Sequence, residues 1–234
     1  MAVDWDKRYR EGFYAEPHGA HGLLRRFSPL IPRGKPVIDI AMGQGRDLLF
    51  LARKGFPVYG LERSTEAIKL AAQAAQEELT GLTMVQGDAG SLPFKPAAAG
   101  CVLVFYFLVR EIMADLTGLL MPGGLLLYET FLKRQNVIDR PRNPDYLLDD
   151  GELPGYFRDL DLLFYEEGIF AVEGKRRALA RYAGRKRRLS NGTRQGPKRR
   201  QPPSSRRAWK MALSSATRPT PSTAWDATCS TSRR

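Results

Sequence analysis

Between residues 36 and 131, short apolar runs alternate with longer stretches in which apolar positions recur every three or four places. "PVIDI" (36–40), "PVYGL" (57–61), "LTMVQGD" (82–88), "CVLVFYF" (101–107) and "LLLYETF" (125–131) have the length and side-chain type of strands. The run at 101–107 is apolar on both faces, as a central parallel strand must be. "RDLLFLARKG" (46–55) predicts a helix closed by Gly55. "STEAIKLAAQAAQEELTG" (64–81) predicts another, capped by Ser64 or Thr65, with Ile68, Ala71, Ala72, Ala75 and Leu79 on its inner face. "REIMADLTGLL" (110–120) predicts a third, stopped by "MPGG".

Repeated strand–helix–strand units predict an α/β fold: a Rossmann-like, doubly wound, mostly parallel sheet with helices on both faces. After residue 140 the pattern loosens. "PRNPDYLLDDGELPGYF" (141–157) predicts a loop with a short helix. "LDLLFYEEG" (160–168) and "RRALARY" (176–182) predict two strands of a hairpin, which puts an antiparallel strand at the carboxyl end.

Charge changes this picture only at one end. Residues 1–184 carry 23 Lys+Arg and 24 Asp+Glu, whereas residues 185–234 carry 14 Lys+Arg and a single acid, Asp226. The net charge of +12 therefore belongs to the last fifty residues, and inferences from basicity apply to them alone. Those residues contain no Ile, Val, Phe or Tyr and show no periodicity, a composition that predicts disorder. Two readings of the tail stand: a basic arm that binds nucleic acid or other polyanions, or a stretch without selected function, such as a gene end read out of frame. The chain divides into an amino-terminal cap (1–35), a core (36–184) and the tail (185–234). Two cysteines make no disulfide framework, and no apolar run is long enough to cross a bilayer, so a cytoplasmic location is the expectation.

The chemistry concentrates in "VIDIAMGQGRD" (37–47), a strand running into a turn with Gly43 and Gly45. A phosphate-binding P-loop needs G-x-x-x-x-G-K-[ST], which is absent. A dinucleotide fingerprint needs G-x-G-x-x-G, and Leu48 occupies its third glycine position. A cationic ligand fits better. Asp39, Glu62 and Asp88 end three successive strands and converge on one rim of the sheet, where a pyrophosphate would be repelled. Glu62 suits two ribose hydroxyls, Asp88 an adenine amino group, and Asp39 either the loop or the amino group of a methionine moiety. The ligand read from this pattern is S-adenosylmethionine.

These segments, with "WDKRYREGFYAEP", "GDAGSLPF", "FYFLVR", "MPGGLLLYETF" and "PRNPDYLL", resemble in their order the class I methyltransferases, closest to the small bacterial tellurite-resistance branch. The resemblance covers roughly residues 4–181 and leaves the substrate open. It implies cofactor contacts from Asp39, Ala41, Gly43, Gly45, Arg46, Glu62, Arg63, Asp88, Ala89 and Phe105. It also implies that Trp5, Asp6 and Tyr9 fold across the cofactor, although an aromatic staple for a helix is the alternative. Ala41, Met42 and Arg63 depart from the residues more usual in relatives.

On the acceptor side, Tyr106 is the candidate wall, Arg110 a contact for an anionic acceptor or for a lid, and Glu129 a base or a buried acid paired with an arginine. His18 is a candidate gate or base. His18 reads more simply as a solvated loop residue, and no metal site is expected from His18 and His21. Asp47 reads as a first-turn acid favouring the helix dipole. Arg46 divides evenly between a brace and a ligand contact. The function implied is methyl transfer to a small-molecule acceptor. The alternatives are a nucleic-acid methyltransferase that uses the basic tail, and a non-catalytic scaffold.

Overall fold

Seven strands hydrogen-bond into one sheet in the order 3-2-1-4-5-7-6. The structure is a computed structural model and describes residues 3–14 and 19–188. In chain order its elements are α1 (Trp5–Arg10), α2 (Gly22–Phe27), β1 (Val37–Ile40), α3 (Arg46–Ala52), β2 (Val58–Glu62) and α4 (Thr65–Glu77). There follow β3 (Thr83–Gln86), β4 (Ala99–Phe105), α5 (Met113–Leu119), β5 (Leu120–Phe131), α6 (Leu153–Tyr156), β6 (Leu160–Val172) and β7 (Lys175–Lys186). All neighbouring pairs from β3 to β5 are parallel; β7 runs antiparallel to both β5 and β6. The expected doubly wound sheet with an antiparallel strand at its carboxyl end is the one observed.

Every residue of β1 and β4 is buried, so these two strands form the centre on which both layers pack. One face carries Ile38, Ile40, Val102 and Val104 against α5, Leu153 and Phe157. The other carries Val37, Leu103 and Leu127 against α2, α3 and Ala71 of α4. Because strand residues alternate faces, Asp39 and Phe105 point to the second side, under α2 and α3.

Several local expectations are corrected. The "MPGG" segment does not stop a helix in a loop; it lies within β5, which already begins at Leu120. Gly124 fits there because a Cβ on it would stand 2.9 Å from the Met121 carbonyl oxygen and 3.0 Å from that of Ala99. Residues 110–112 form a 3-10 turn before α5. In α4, Ser64 is the cap, its hydroxyl accepting from Ala67 N–H at 3.1 Å, and the inner face is Ala67, Ala71 and Ala75, with Ile68 packed beside them as expected. Ala72 faces solvent. Leu79 lies past the helix end with φ 52°, where the Leu79 and Thr80 N–H groups bond back to Gln76 and Ala75 and close the last turn. Finally, β7 runs past the change in composition at residue 185: it pairs with β5 through Arg185 and with β6 through Lys186.

Candidate functional site

The turn after β1 is held by an unusual backbone. Ala41, Gly43 and Gly45 all have positive φ, at 59°, 56° and 74°. Only glycine reaches this region without strain, so Ala41 stores a cost of about 1–2 kcal/mol there. Met42 turns inward onto β2, where a Cβ on Gly60 would overlap its sulfur and come within 2.8 Å of Leu48 Cδ1. The close helix–sheet approach that a dinucleotide fingerprint obtains from its third glycine is therefore made by Gly60, with Leu48 filling the space. Glu62 fixes the turn: Gly43 N–H donates to its Oε2 at 3.0 Å and Ser64 N–H to its Oε1 at 2.8 Å. Bracing the loop was one expectation for Asp39, but the carboxylate that does so is Glu62. Each of its oxygens keeps lone-pair capacity for a further donor.

Asp39, Asp47 and Glu62 are all buried. The Asp39 carboxyl is pushed well above its ordinary range, first by burial and then by the charges of Asp47 and Glu62, with Arg46 opposing. Asp88 is mostly exposed; its carboxylate accepts from Gly90 N–H at 2.8 Å and lies 3.4 Å from Arg63. Ala89 is buried beside it.

The amino-terminal segment closes over this rim. Asp6 accepts from the Ser64 hydroxyl at 2.6 Å and from Glu66 N–H at 3.2 Å, which ties α1 to the start of α4. The Tyr9 hydroxyl sits 2.9 Å from where a Gly43 Cβ would be, and Tyr9 is driven up by burial and by the Glu62 charge. Trp5 is held differently, beneath the Arg8 guanidinium at 5.2 Å.

His21 is buried and built into the site. Its Nδ1 lies 2.6 Å from Asp47 Oδ2, its N–H donates to Asp47 Oδ1 at 2.8 Å, and its ring stacks on Phe105 with centroids 4.1 Å apart. Asp47 is thus more than a dipole-favouring acid; it clasps the amino-terminal segment to α3. The pairing joins residues far apart in sequence, and its only local sign is the apolar "GLLRRF" run after His21. His18 lies outside the described residues. Arg46 is a brace: it meets His21 Nε2 and donates to Glu173 at 2.6 Å.

On the acceptor side β4 ends at Phe105, and Tyr106 takes φ 55°. Its ring stacks on Phe131 at 4.9 Å, meets the edge of His21 at 4.9 Å, and carries the Arg177 guanidinium at 4.9 Å. Its hydroxyl is buried without a hydrogen-bond partner, and burial followed by the Glu129 charge holds it protonated. Glu129 accepts from Arg181 Nε at 2.8 Å, and Arg181 also reaches Glu166 at 3.0 Å, a row across three strands. Glu129 is therefore the buried acid paired with an arginine. Arg110 is tied to residues 147–152: it donates to Glu152 at 2.6 and 3.0 Å and to the Leu147 carbonyl at 2.9 Å. With these bonds made, it is not a free cation for an anionic acceptor. Glu173 falls between the expected hairpin strands, 160–168 and 176–182, and Arg177 lies inside the second of them without a role being expected of it. The continuing "IFAV" run was the signal.

Residues 37–124 match the model of a family described as a methyltransferase domain. This stretch is a methyltransferase domain, and the sheet that contains it has the Rossmann-like fold. Among curated proteins, hemagglutinin 1 of Eikenella corrodens is 28% identical over 165 residues, 65% of this chain and 54% of that protein. A phthiotriol/phenolphthiotriol dimycocerosates methyltransferase of Mycobacterium ulcerans is 34% identical over 112 residues, 45% of this chain and 40% of that protein. The chain thus spans about half the length of the curated relatives it matches. Among solved structures, TehB of Haemophilus influenzae superposes with a TM-score of 0.63 at 20% identity, covering 78% of this chain and 67% of that one. A SAM-dependent methyltransferase of Methanosarcina mazei gives 0.60 at 16% identity, covering 74% and 100%. At these identities the structures speak for the fold of the methyltransferase domain alone. Among the described residues no helix is long and apolar enough to cross a membrane, and no cluster of His, Cys, Asp and Glu could hold a metal ion.

Proposed function

We propose that the domain transfers a methyl group from S-adenosylmethionine to a small-molecule acceptor by in-line displacement at carbon. The observation that carries this reading is the set of buried carboxylates Asp39, Asp47 and Glu62 against a turn with three left-handed residues. Such a site repels phosphate and gains from a cation. Asp39 would meet the ligand's amino group, Glu62 its ribose hydroxyls, and Asp88 the adenine amino group. The backbone of residues 41–45 would lie against the ligand, with Tyr9 over Gly43. The bound cofactor supplies an activated methyl on a sulfonium.

The chain's own part is to align and to exclude water. Phe105, Tyr106, Phe131 and His21 form an apolar wall at the end of β4. Among the described residues no free general base stands beside it: Glu129 is held by Arg181, and both His21 nitrogens are engaged. This favours an acceptor that is soft or already ionised over an alcohol, which needs a base. Calorimetric titration with S-adenosylhomocysteine tests the reading. Micromolar, near-stoichiometric binding is expected; no heat from a folded chain would return the scaffold reading to the front. Product analysis finding methyl groups only on hydroxyl oxygens would overturn the acceptor class.

A further inference from the structure

We propose that Glu173 is a positioning residue that latches the acceptor-side hairpin onto the cofactor loop, so that filling one site closes the other. The inference rests on the reading that residues 41–45 receive S-adenosylmethionine. Its geometry begins where β5 stops. Phe131, the last residue of β5, pairs with Leu179, but β6 and β7 continue together to Val172 opposite Lys175. The hairpin therefore rises past the edge of the sheet beside the acceptor wall, and Arg177 lies on this overhang with its guanidinium over the Tyr106 ring.

The tip of the overhang is a two-residue turn, Glu173–Gly174, with φ of 52° and 74°. A tight hairpin turn with both central residues left-handed prefers asparagine, aspartate or glycine at the first place, and glutamate there is strained. A carboxylate on a longer side chain is what glutamate adds. Its Oε1 accepts from Arg46 Nη1 at 2.6 Å and its Oε2 from Arg177 Nη2 at 3.3 Å. The three side chains are 17–24% exposed, at the rim of the sheet. Arg46 directly follows Gly45 and also meets His21, which stacks on Phe105. One carboxylate thus joins the cofactor turn, the amino-terminal segment and the acceptor wall. Any ligand that settles Arg46 steadies the hairpin, and by reciprocity a steadied hairpin tightens that ligand.

Glu173→Asn separates this role from a structural one, because asparagine suits the turn while lacking the carboxylate. The measurements are melting temperature, S-adenosylhomocysteine affinity, and hydrogen exchange with and without that ligand. In the wild type, bound ligand is expected to slow exchange in 169–178 as well as in 41–47. Glu173→Asn should melt at or above the wild-type temperature yet bind at least about fivefold more weakly. Ligand should then protect 41–47 but not 169–178, and Glu173→Gln should lose the same protection. A wild-type hairpin indifferent to bound ligand, or an asparagine variant with unchanged affinity and protection, overturns the latch while leaving the proposed function intact. A folded wild type that takes no ligand at all removes both. Should Glu173→Asn melt lower, the wild-type exchange pattern decides alone.

Discussion

A carboxyl group buried among other carboxyls costs folding free energy until something positive joins it, and Asp39 stands beside Asp47 and Glu62 with Arg46 opposing them. Its folded pKa is raised, so the stability it allows is fully present below the ordinary value of 3.8 and is lost as pH rises through the folded value. Asp39→Asn keeps the shape and removes the charge. At pH 7.5 this variant should melt above the wild type, and the gap should close as the pH falls toward 4. The same change removes the group proposed to receive the ligand's amino group. S-adenosylhomocysteine should bind about 10–100-fold more weakly, the loss of one charged hydrogen bond. Thermal melts at the two pH values, with calorimetry, check both halves. A variant that lost stability at pH 7.5 would mean the Asp39 charge is compensated in the folded chain.

At the scale of elements, the site depends on segments that reach it from far along the chain. The segment 145–152 after β5 is pinned to the 3-10 turn before α5 by Arg110, which holds Glu152 and the Asp145 and Leu147 carbonyls. Burial raises the Glu152 carboxyl, but hydrogen bonds from Arg110, Tyr156 and the Asp149 N–H outweigh it and bring the carboxyl to about 2. Its contribution is therefore present above the ordinary value of 4.5 and is lost as pH falls from there to about 2. Urea unfolding of the wild type and of Glu152→Gln should give stabilities that converge between pH 4.5 and 2.5, with the wild type higher at pH 6. Parallel pH profiles would overturn this. The same contrast explains what was legible in the sequence. Strands announce themselves by local alternation, and Asp39, Glu62 and the glycine turn by their place at strand ends. Asp47 with His21, or Arg46 with Glu173, are partners 26 and 127 residues apart, and no local pattern encodes them. The Gly60–Leu48 exchange was hidden in the same way, since either residue alone reads as a departure.

At the scale of the molecule, the methyltransferase core and the basic sequence that follows it meet near residue 185. Composition changes at residue 185, but the contacts continue. The Lys186 ammonium donates to the Thr117 and Leu120 carbonyls, each at 2.8 Å, and so satisfies the carboxyl end of α5 and complements its dipole. Arg187 meets Asp161 at 2.9 Å, and Arg188 packs beside Gly123. A chain cut after residue 184 loses the end of β7 and this cap, whereas one cut after 188 keeps both. Hydrogen bonds from a charged group contribute about 1.5–3 kcal/mol. In a domain of this size that corresponds to roughly 5–10 °C of melting temperature. We expect the 1–188 chain to melt and to bind S-adenosylhomocysteine as the full chain does, and the 1–184 chain to melt lower by about that interval. If removing 189–234 abolished methylation of a nucleic acid that the full chain modifies, the acceptor would be a polyanion held by the tail. If nothing changed but affinity for non-specific polyanions, the catalytic unit would end at β7.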